Sequence, residues 1–210
     1  MQLTSVVIKD NNVKDLIEFF SLNQNNLKTF IDIVYYNRKD IPLRVYNWFV
    51  QNYIKKNDVT YLIGKPHKDI QSSLKIKLIK FNVYRSYQAQ ILGSHKTQFD
   101  PYCRCSEKTP TITFEQIDKN GEKTLVKTKI INLEYIDEIT NEKINIETTY
   151  SQLNFFRWAI KNLVVDYVEA NKDKIYKDLI ENEKTKKIGN NKKKTEISKS
   201  IYKNYVVCYN

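Results

Sequence analysis

The sequence is poor in the residues that build nucleotide-binding loops, disulfide frameworks and metal sites. Its 210 residues include four Gly, four Pro, three Cys and two His. Neither glycine-rich phosphate loop, GxGxxG or GxxxxGKS/T, occurs in the chain. The cysteines are Cys103, Cys105 and Cys208, an odd number with one closely spaced pair. This pattern favours a reducing, intracellular setting over a disulfide-stabilised fold.

Long apolar runs are missing too. No stretch approaches 18 uninterrupted apolar residues, so we expect no transmembrane helix. Residues 1–10 lack a basic region followed by a long apolar one, so we expect no targeting signal. The hydrophobic fraction of 41% and the charged fraction of 28% are typical of a globular chain that forms a core of its own.

Arginine is scarce although the chain is basic. The formal net charge is +11, but only five of the 35 basic residues are Arg. Because arginine reads base edges and binds phosphates bidentately, the charge favours non-specific attraction to polyanions over sequence readout. An AT-rich genome, whose codons favour Lys, Asn, Ile and Tyr, is an alternative cause of the lysine excess.

Most of the positive charge lies in one segment near the C-terminus. Between Lys184 and Lys203 there are eight Lys and one Glu, a net charge of +7 that leaves +4 for the rest of the chain. One interpretation is a flexible arm that contacts a polyanion. The alternative is a solvated linker enriched in lysine by codon bias. The candidate contacts in this arm are Lys184, Lys186, Lys187, Lys192, Lys193 and Lys194.

Apolar periodicity predicts three N-terminal helices and a longer one near the C-terminus. Apolar residues recur at helical spacing over 13–20, over 26–36 and behind Pro42, ending near Asp58. Thr149 and Gln152 fit a capping box, and the apolar pattern behind them predicts one helix to about residue 183.

The middle of the chain is predicted to be an antiparallel β meander. Residues 74–91 alternate between apolar and polar, which is typical of a strand. A turn signal at 118–121 joins 111–117 to 124–133 as a hairpin, and 144–148 forms a further short strand. Residues 201–208 are β-prone, which predicts a terminal strand.

Three stretches of the sequence form a recognisable series of motifs. They are 42–57 (PLRVYNWFVQNYIKKN), 84–90 (YRSYQAQ) with 99–104 (FDPYCR), and 152–162 (QLNFFRWAIKN) with 166–168 (DYV). In this order they resemble a family of uncharacterised proteins of nucleocytoplasmic large DNA viruses, of the mimivirus and phycodnavirus kind. The resemblance implies a viral protein at a cytoplasmic replication site in the host, with the virion as a second location. It implies no catalytic residue. Tyr102 and Cys105 depart from the family pattern, which has Phe and Arg at those positions.

Two groups of polar residues allow both a functional and a structural interpretation. Cys103 and Cys105 with His95 fall short of the four ligands of a structural zinc site, so we predict no metal. The turn around Asp100 and Pro101 brings Arg104 either to a phosphate or into an ion pair with Asp100.

The exposed or buried state of the aromatic face at the start of the long helix also has two interpretations. Phe155 and Trp158 share one face, and Arg157 and Lys161 are one turn apart. The face either stacks bases or partner proteins, or is buried because the helix packs on two sides.

No carboxylate pair or activated nucleophile stands out, so we predict a non-enzymatic protein without a cofactor. The predicted fold is α+β, with units at 1–58 (helical), 59–183 (α+β body) and 184–210 (lysine-rich arm and terminal strand).

The predicted function is non-specific nucleic-acid binding in late gene expression or genome packaging. The alternative is a structural virion protein that binds other viral proteins. No membrane partner is expected, and the oligomeric state stays open. The predicted nucleic-acid contacts are the six lysines of the arm with Arg104, Arg157 and Lys161.

Overall fold

The structure, a computed structural model, describes residues 5–8, 10–36, 40–66, 76–102, 109–117, 122–137 and 140–186. It confirms the predicted α+β class. Its elements are β1 (Ser5–Ile8), α1 (Asn11–Ser21), α2 (Gln24–Val34), α3 (Leu43–Trp48), a π-helical turn (Phe49–Tyr53), α4 (Ile54–Asn57), β2 (Thr60–Pro66), β3 (Ile76–Asn82), α5 (Val83–Ser94), a 3-10 turn (Lys96–Gln98), β4 (Ile112–Ile117), β5 (Lys123–Thr128), β6 (Ile131–Ile136), β7 (Lys143–Thr148), α6 (Tyr150–Lys161), α7 (Val164–Ala170) and α8 (172–186).

Helices α1 and α2 begin at polar residues whose side chains accept hydrogen bonds from the first backbone amides. Asp10 accepts a hydrogen bond from the backbone N of Asn12 at the start of α1, and Asn23 accepts from the N of Asn25 at the start of α2. The segment from α3 to α4 ends at Asp58, which lies in the left-handed region at φ 41°. The predicted end of the third helical segment is therefore correct.

The strands pair in antiparallel fashion as predicted, but they are divided among three sheets and not joined in one meander. The strand orders are β1-β4-β5, β2-β3 and β6-β7. The pairing of Ile117 with Lys123 confirms the hairpin between β4 and β5, whose turn residues 118–121 lie outside the described part. The run predicted over 124–133 is split between β5 and β6. Strand β1, which the sequence did not suggest, supplies the other neighbour of β4.

The strand predicted over 74–91 is wrong in its second half. Strand β3 ends at Asn82, whose side-chain Oδ1 accepts a hydrogen bond from the N of Arg85 at 2.9 Å and so begins α5. Val83 and Tyr87, one helical turn apart, are buried. The change from period two to helical spacing at Asn82 is the signal that the sequence interpretation missed.

The single helix predicted over 152–183 is three helices. Two asparagines interrupt it, because each turns its side-chain amide back to a carbonyl four residues earlier. Asn162 Nδ2 donates to the O of Trp158 at 2.8 Å, and Asn171 Nδ2 donates to the O of Tyr167 at 2.9 Å. Leu163 follows the first break in the left-handed region at φ 55°. The chain is thereby redirected twice between α6 and α8.

One hydrophobic core joins the N-terminal helices to α6. The ring of Phe156 lies 5.4 Å from that of Phe30 and 6.1 Å from that of Tyr46, centroid to centroid. The same cluster takes in Leu133 and Ile146 of the β6-β7 sheet. The predicted unit boundaries at 58 and 183 stay predictions. None of the described helices is long and apolar enough to cross a membrane.

Candidate nucleic-acid interface

The first turns of α6 hold the loop that precedes β4 through buried polar side chains. Ser151 Oγ donates to the O of Thr97 at 2.6 Å, and Gln152 Nε2 donates to the O of Pro101 at 2.9 Å. Asn154 Nδ2 donates to the O of Gln98 at 3.1 Å. Because buried polar groups must be hydrogen-bonded, these side chains fix the position of the loop. Two of the stretches that carry the viral resemblance therefore meet here.

The predicted capping box is half confirmed. Thr149 Oγ1 accepts from the backbone N of Gln152 at 3.3 Å, as the motif requires. Gln152 uses its side chain elsewhere, because its Oε1 accepts from Thr148 Oγ1 at 2.9 Å while its Nε2 binds Pro101. The glutamine thus joins the end of β7 and the start of α6 to Pro101, which lies 51 positions earlier.

The aromatic face of α6 lies in the core. The Phe99 ring centroid is 5.4 Å from that of Phe155, 5.5 Å from that of Trp158 and 5.9 Å from that of Tyr87. Phe155 is 0% exposed and Trp158 is 5% exposed, so neither ring is available to stack on a base. The alternative, a helix buried on two sides, is confirmed. Burial, and then the charge of Asp100, raises the pKa of Tyr87 to about 12.

The turn at Asp100 forms as predicted. Asp100 Oδ1 accepts from the backbone N of Tyr102 at 2.8 Å. Arg104, Cys103 and Cys105 lie outside the described residues, so the role of Arg104 stays a prediction. Within the described part of the chain, no group of three His, Cys, Asp or Glu residues could hold a metal ion.

Arg157 and Lys161 lie on α6 but differ in how far they can reach solvent. Arg157 is half-buried and its Nη2 lies 3.3 Å from Asn154 Oδ1, so part of its donor capacity holds the helix start. Lys161 is exposed, with its Nζ 5.4 Å from the ring centroid of Phe19 on α1. Of the two, Lys161 is better placed to contact a phosphate.

Helix α8 is anchored to α3 and α4, and this anchor positions the start of the arm. Asp178 accepts from Trp48 Nε1 at 2.8 Å and pairs with Lys56 Nζ at 3.0 Å. Arg44 Nη2 donates to the hydroxyl of Tyr176 at 2.8 Å. Lys184 and Lys186 are exposed in the last turn of α8, whereas Lys187, Lys192, Lys193 and Lys194 lie outside the described residues.

Asp178→Ala is expected to loosen this anchor. The loss of a charge-assisted bond to Trp48 and of the pair with Lys56 should lower the free energy of unfolding by about 1–2 kcal/mol. The tryptophan emission should shift to longer wavelength, because water reaches the indole of Trp48 once the contact with Asp178 is lost. Glu181→Ala, which removes an exposed carboxylate of the same helix away from its first turn, is the matched control and should leave both measurements nearly unchanged. Equal effects of the two substitutions would contradict the anchor.

A second basic region was missed because the sequence interpretation relied on net charge. Residues 70–99 contain no Asp or Glu and five basic residues. The four of these that the structure describes, Lys77, Lys80, Arg85 and Lys96, are all exposed. The absence of carboxylates over 30 successive residues is visible in the sequence and is the signal that would have found this region.

Comparisons with known proteins agree with the viral resemblance. The chain matches the family of unknown function DUF7197 over residues 7–207. It is 33% identical to an uncharacterized protein of Acanthamoeba polyphaga mimivirus over 197 residues, which make up 93% of this chain and 62% of that protein. The chain thus spans less than two thirds of the length of that relative. No solved structure matches the chain. The predicted resemblance to proteins of large DNA viruses is confirmed.

Proposed function

We propose a function for this chain from its own charges and contacts, because it belongs to DUF7197, a family of unknown function. The proposed function is non-enzymatic, electrostatic binding of nucleic acid in late gene expression or genome packaging of a large DNA virus. It would act at the cytoplasmic replication site of the host or in the virion. Binding needs no base-specific contact, in keeping with the small number of arginines.

The observation that carries the proposal is the exposed lysine pair at the end of an anchored helix. Lys184 and Lys186 begin the segment with net charge +7, and the contacts of α8 with α3 and α4 hold these two lysines at the surface of the body. Lysines that neutralise phosphates release condensed counterions, which is the main source of non-specific affinity for nucleic acid. A concentrated positive segment beside a nearly balanced body therefore favours a polyanionic partner.

The experiment is a salt titration of the full chain with a labelled duplex DNA of arbitrary sequence, followed by fluorescence anisotropy. The variant replaces Lys192, Lys193 and Lys194 by Ala. Its slope of log K against log salt should be less steep by about 3, since each lost phosphate contact contributes about 0.9.

The matched control removes three lysines from the exposed side of α8, Lys172, Lys174 and Lys177, and so changes the net charge equally. Its slope should stay within about 1 of that of the unchanged protein. Two results would overturn the proposal. One is no binding at about 50 mM salt, and the other is an arm variant that binds with an unchanged slope.

A second candidate, a structural virion protein that binds other viral proteins, is favoured by strand β5. This strand ends the β1-β4-β5 sheet, and its residues 123–127 are all exposed. Leu125 is 58% exposed and Val126 is 38% exposed. An open edge with apolar side chains can add a strand from a partner, although Lys123 and Lys127 oppose uncontrolled pairing. Absence of DNA binding in the titration would leave this candidate as the better one.

A further inference from the structure

The second basic region, which contains no Asp or Glu, includes strand β3 and helix α5, and these follow each other directly along the chain. Strand β3 passes directly into α5 at Asn82, so that Lys80 and Arg85 lie five residues apart across the joint. Strand β2, which pairs with β3 over its whole length, also lacks Asp and Glu. The ribbon of β2 and β3 and the helix α5 therefore carry positive charge and no carboxylate of their own. A neighbouring carboxylate, Asp58, accepts a hydrogen bond from Asn82 Nδ2 at 2.7 Å where β3 meets α5.

One face of the ribbon is fixed to the body. The Tyr61 ring stacks on that of Tyr167 at 5.4 Å, and its hydroxyl donates to the O of Asn162 at 2.7 Å. Ile63, on the same face, is 3% exposed. Because side chains alternate along a strand, the other face points to solvent. The ribbon is thus held rigidly with its outer face open.

The outer face combines lysine with apolar side chains. The register places Leu62 opposite Lys80 and Gly64 opposite Leu78. Leu62 is 61% exposed and Leu78 is 64% exposed, so the outer face presents two apolar side chains beside Lys80. A two-stranded ribbon of seven residues is about 23 Å long and has the width that the major groove of duplex DNA accepts.

The outward side of α5 extends this surface. Its buried residues, Val83 and Tyr87, face the core, whereas Arg85 and Gln88 are exposed. Lys96 follows in the 3-10 turn and is exposed as well. These side chains donate hydrogen bonds, and none of them is a carboxylate that would repel a phosphate.

We infer that the β2-β3 ribbon and the outward side of α5 form a second nucleic-acid-binding surface, distinct from the C-terminal arm. It contacts the phosphodiester backbone through Lys80, Arg85 and Lys96. This inference rests on the proposed function, since it names a further site for the same class of partner. The two sites together bind more phosphates than the arm alone, which makes binding steeper in salt.

The test compares a surface variant with the unchanged full chain. Lys80, Arg85 and Lys96 are replaced by Gln, which keeps the side chains long and removes three charges. Labelled duplex DNA, single-stranded DNA and duplex RNA of one sequence are titrated between about 50 and 200 mM salt. With duplex DNA we expect a slope less steep by about 3 and binding at least about tenfold weaker at 100 mM salt.

The matched control is Gln at Lys172, Lys174 and Lys177, which should retain the slope within about 1. Circular dichroism of both variants checks that they fold. A second measurement uses the unchanged protein: bound DNA should protect Lys80 and Lys96 from acetylation, as read by mass spectrometry. Protection of these lysines supports the inference even if the variant folds poorly.

The outcomes separate the inference from the proposed function. If the surface variant keeps its slope and the lysines are not protected while the arm variant loses affinity, the surface inference fails and the proposed function stands. If the unchanged protein binds none of the three nucleic acids, both fail. If the surface variant changes only self-association in gel filtration, the exposed leucines serve a protein contact and the inference is overturned. Weaker binding to single-stranded DNA or RNA as well would extend the surface to those backbones.

Discussion

Phe156→Ala will cost more stability than any surface substitution, because it removes a ring on which two halves of the core meet. Phe156 is fully buried and contacts Phe30 and Tyr46 of the N-terminal helices and Phe155 of its own helix. Deleting a buried phenylalanine typically lowers the free energy of unfolding by about 3–5 kcal/mol, through lost burial and the cavity left behind. Since small proteins are stable by about 5–15 kcal/mol, the variant should be close to unfolding.

Urea denaturation followed by far-UV circular dichroism measures this loss. Leu92→Ala is the control, because Leu92 is 82% exposed on α5 and its truncation should change stability by less than about 0.5 kcal/mol. A loss below about 1 kcal/mol for Phe156→Ala would show that the N-terminal helices do not depend on α6.

Gln152→Ala will destabilise the molecule by leaving two polar groups without their partner. The O of Pro101 loses the donor at 2.9 Å, and the hydroxyl of Thr148 loses the acceptor at 2.9 Å. An unsatisfied buried group costs about 1–3 kcal/mol, so we expect a total loss of about 2–4 kcal/mol. The effect should exceed that of an ordinary cap, because it also removes one of the three side-chain hydrogen bonds that hold the loop at 97–101.

Thermal denaturation of Gln152→Ala and of Gln88→Ala tests this. Both changes replace Gln by Ala within a helix, but Gln88 is exposed on α5 while Gln152 is 8% exposed. Gln88→Ala should therefore leave the melting temperature nearly unchanged. Similar shifts in the two variants would mean that the glutamine network contributes no more than helix propensity.

Local patterns predicted the elements whose signals lie close together in sequence. The spacing of Leu153, Phe156 and Ile160 predicted α6, and Thr149 predicted its first residue. The break after α6 was missed, because its cause is the hydrogen bond from Asn162 to the O of Trp158 and not a proline or glycine. Single asparagines occur in helices and at their ends alike, so the sequence alone does not separate the two.

Contacts between residues far apart in the sequence could not be predicted, because local sequence patterns hold no information about distant partners. The bond from Trp48 to Asp178 spans 130 positions, and β1 pairs with β4 across more than 100. Nothing in the spacing of either partner indicates the other. The aromatic face of α6 illustrates the same limit, because only the position of Phe99 decides that Phe155 and Trp158 are covered.

The candidate site was predicted only in part for a different reason. Net charge drew attention to the segment from Lys184 onward, where many lysines are close together. Lys77, Lys80 and Arg85 are spread along a strand and a helix, so the number of basic residues alone does not distinguish this region. It is distinguished by the absence of Asp and Glu from the same part of the sequence. Pairing of β2 with β3 then places Lys80 on a solvent-facing side, which the sequence does not determine.

The break at Asn171 bears on how far the molecule can reach. Helix α8 is continuous with α7 only through this residue, and two buried side chains, Ile175 and Leu179, press it against the body. An element with so few buried contacts opens at a lower free energy than the core does. Once α8 is released, its 15 residues extend about 22 Å from the body and carry Lys184 and Lys186 with them. The reach of these two lysines is then set by the length of α8 and not by the size of the folded body.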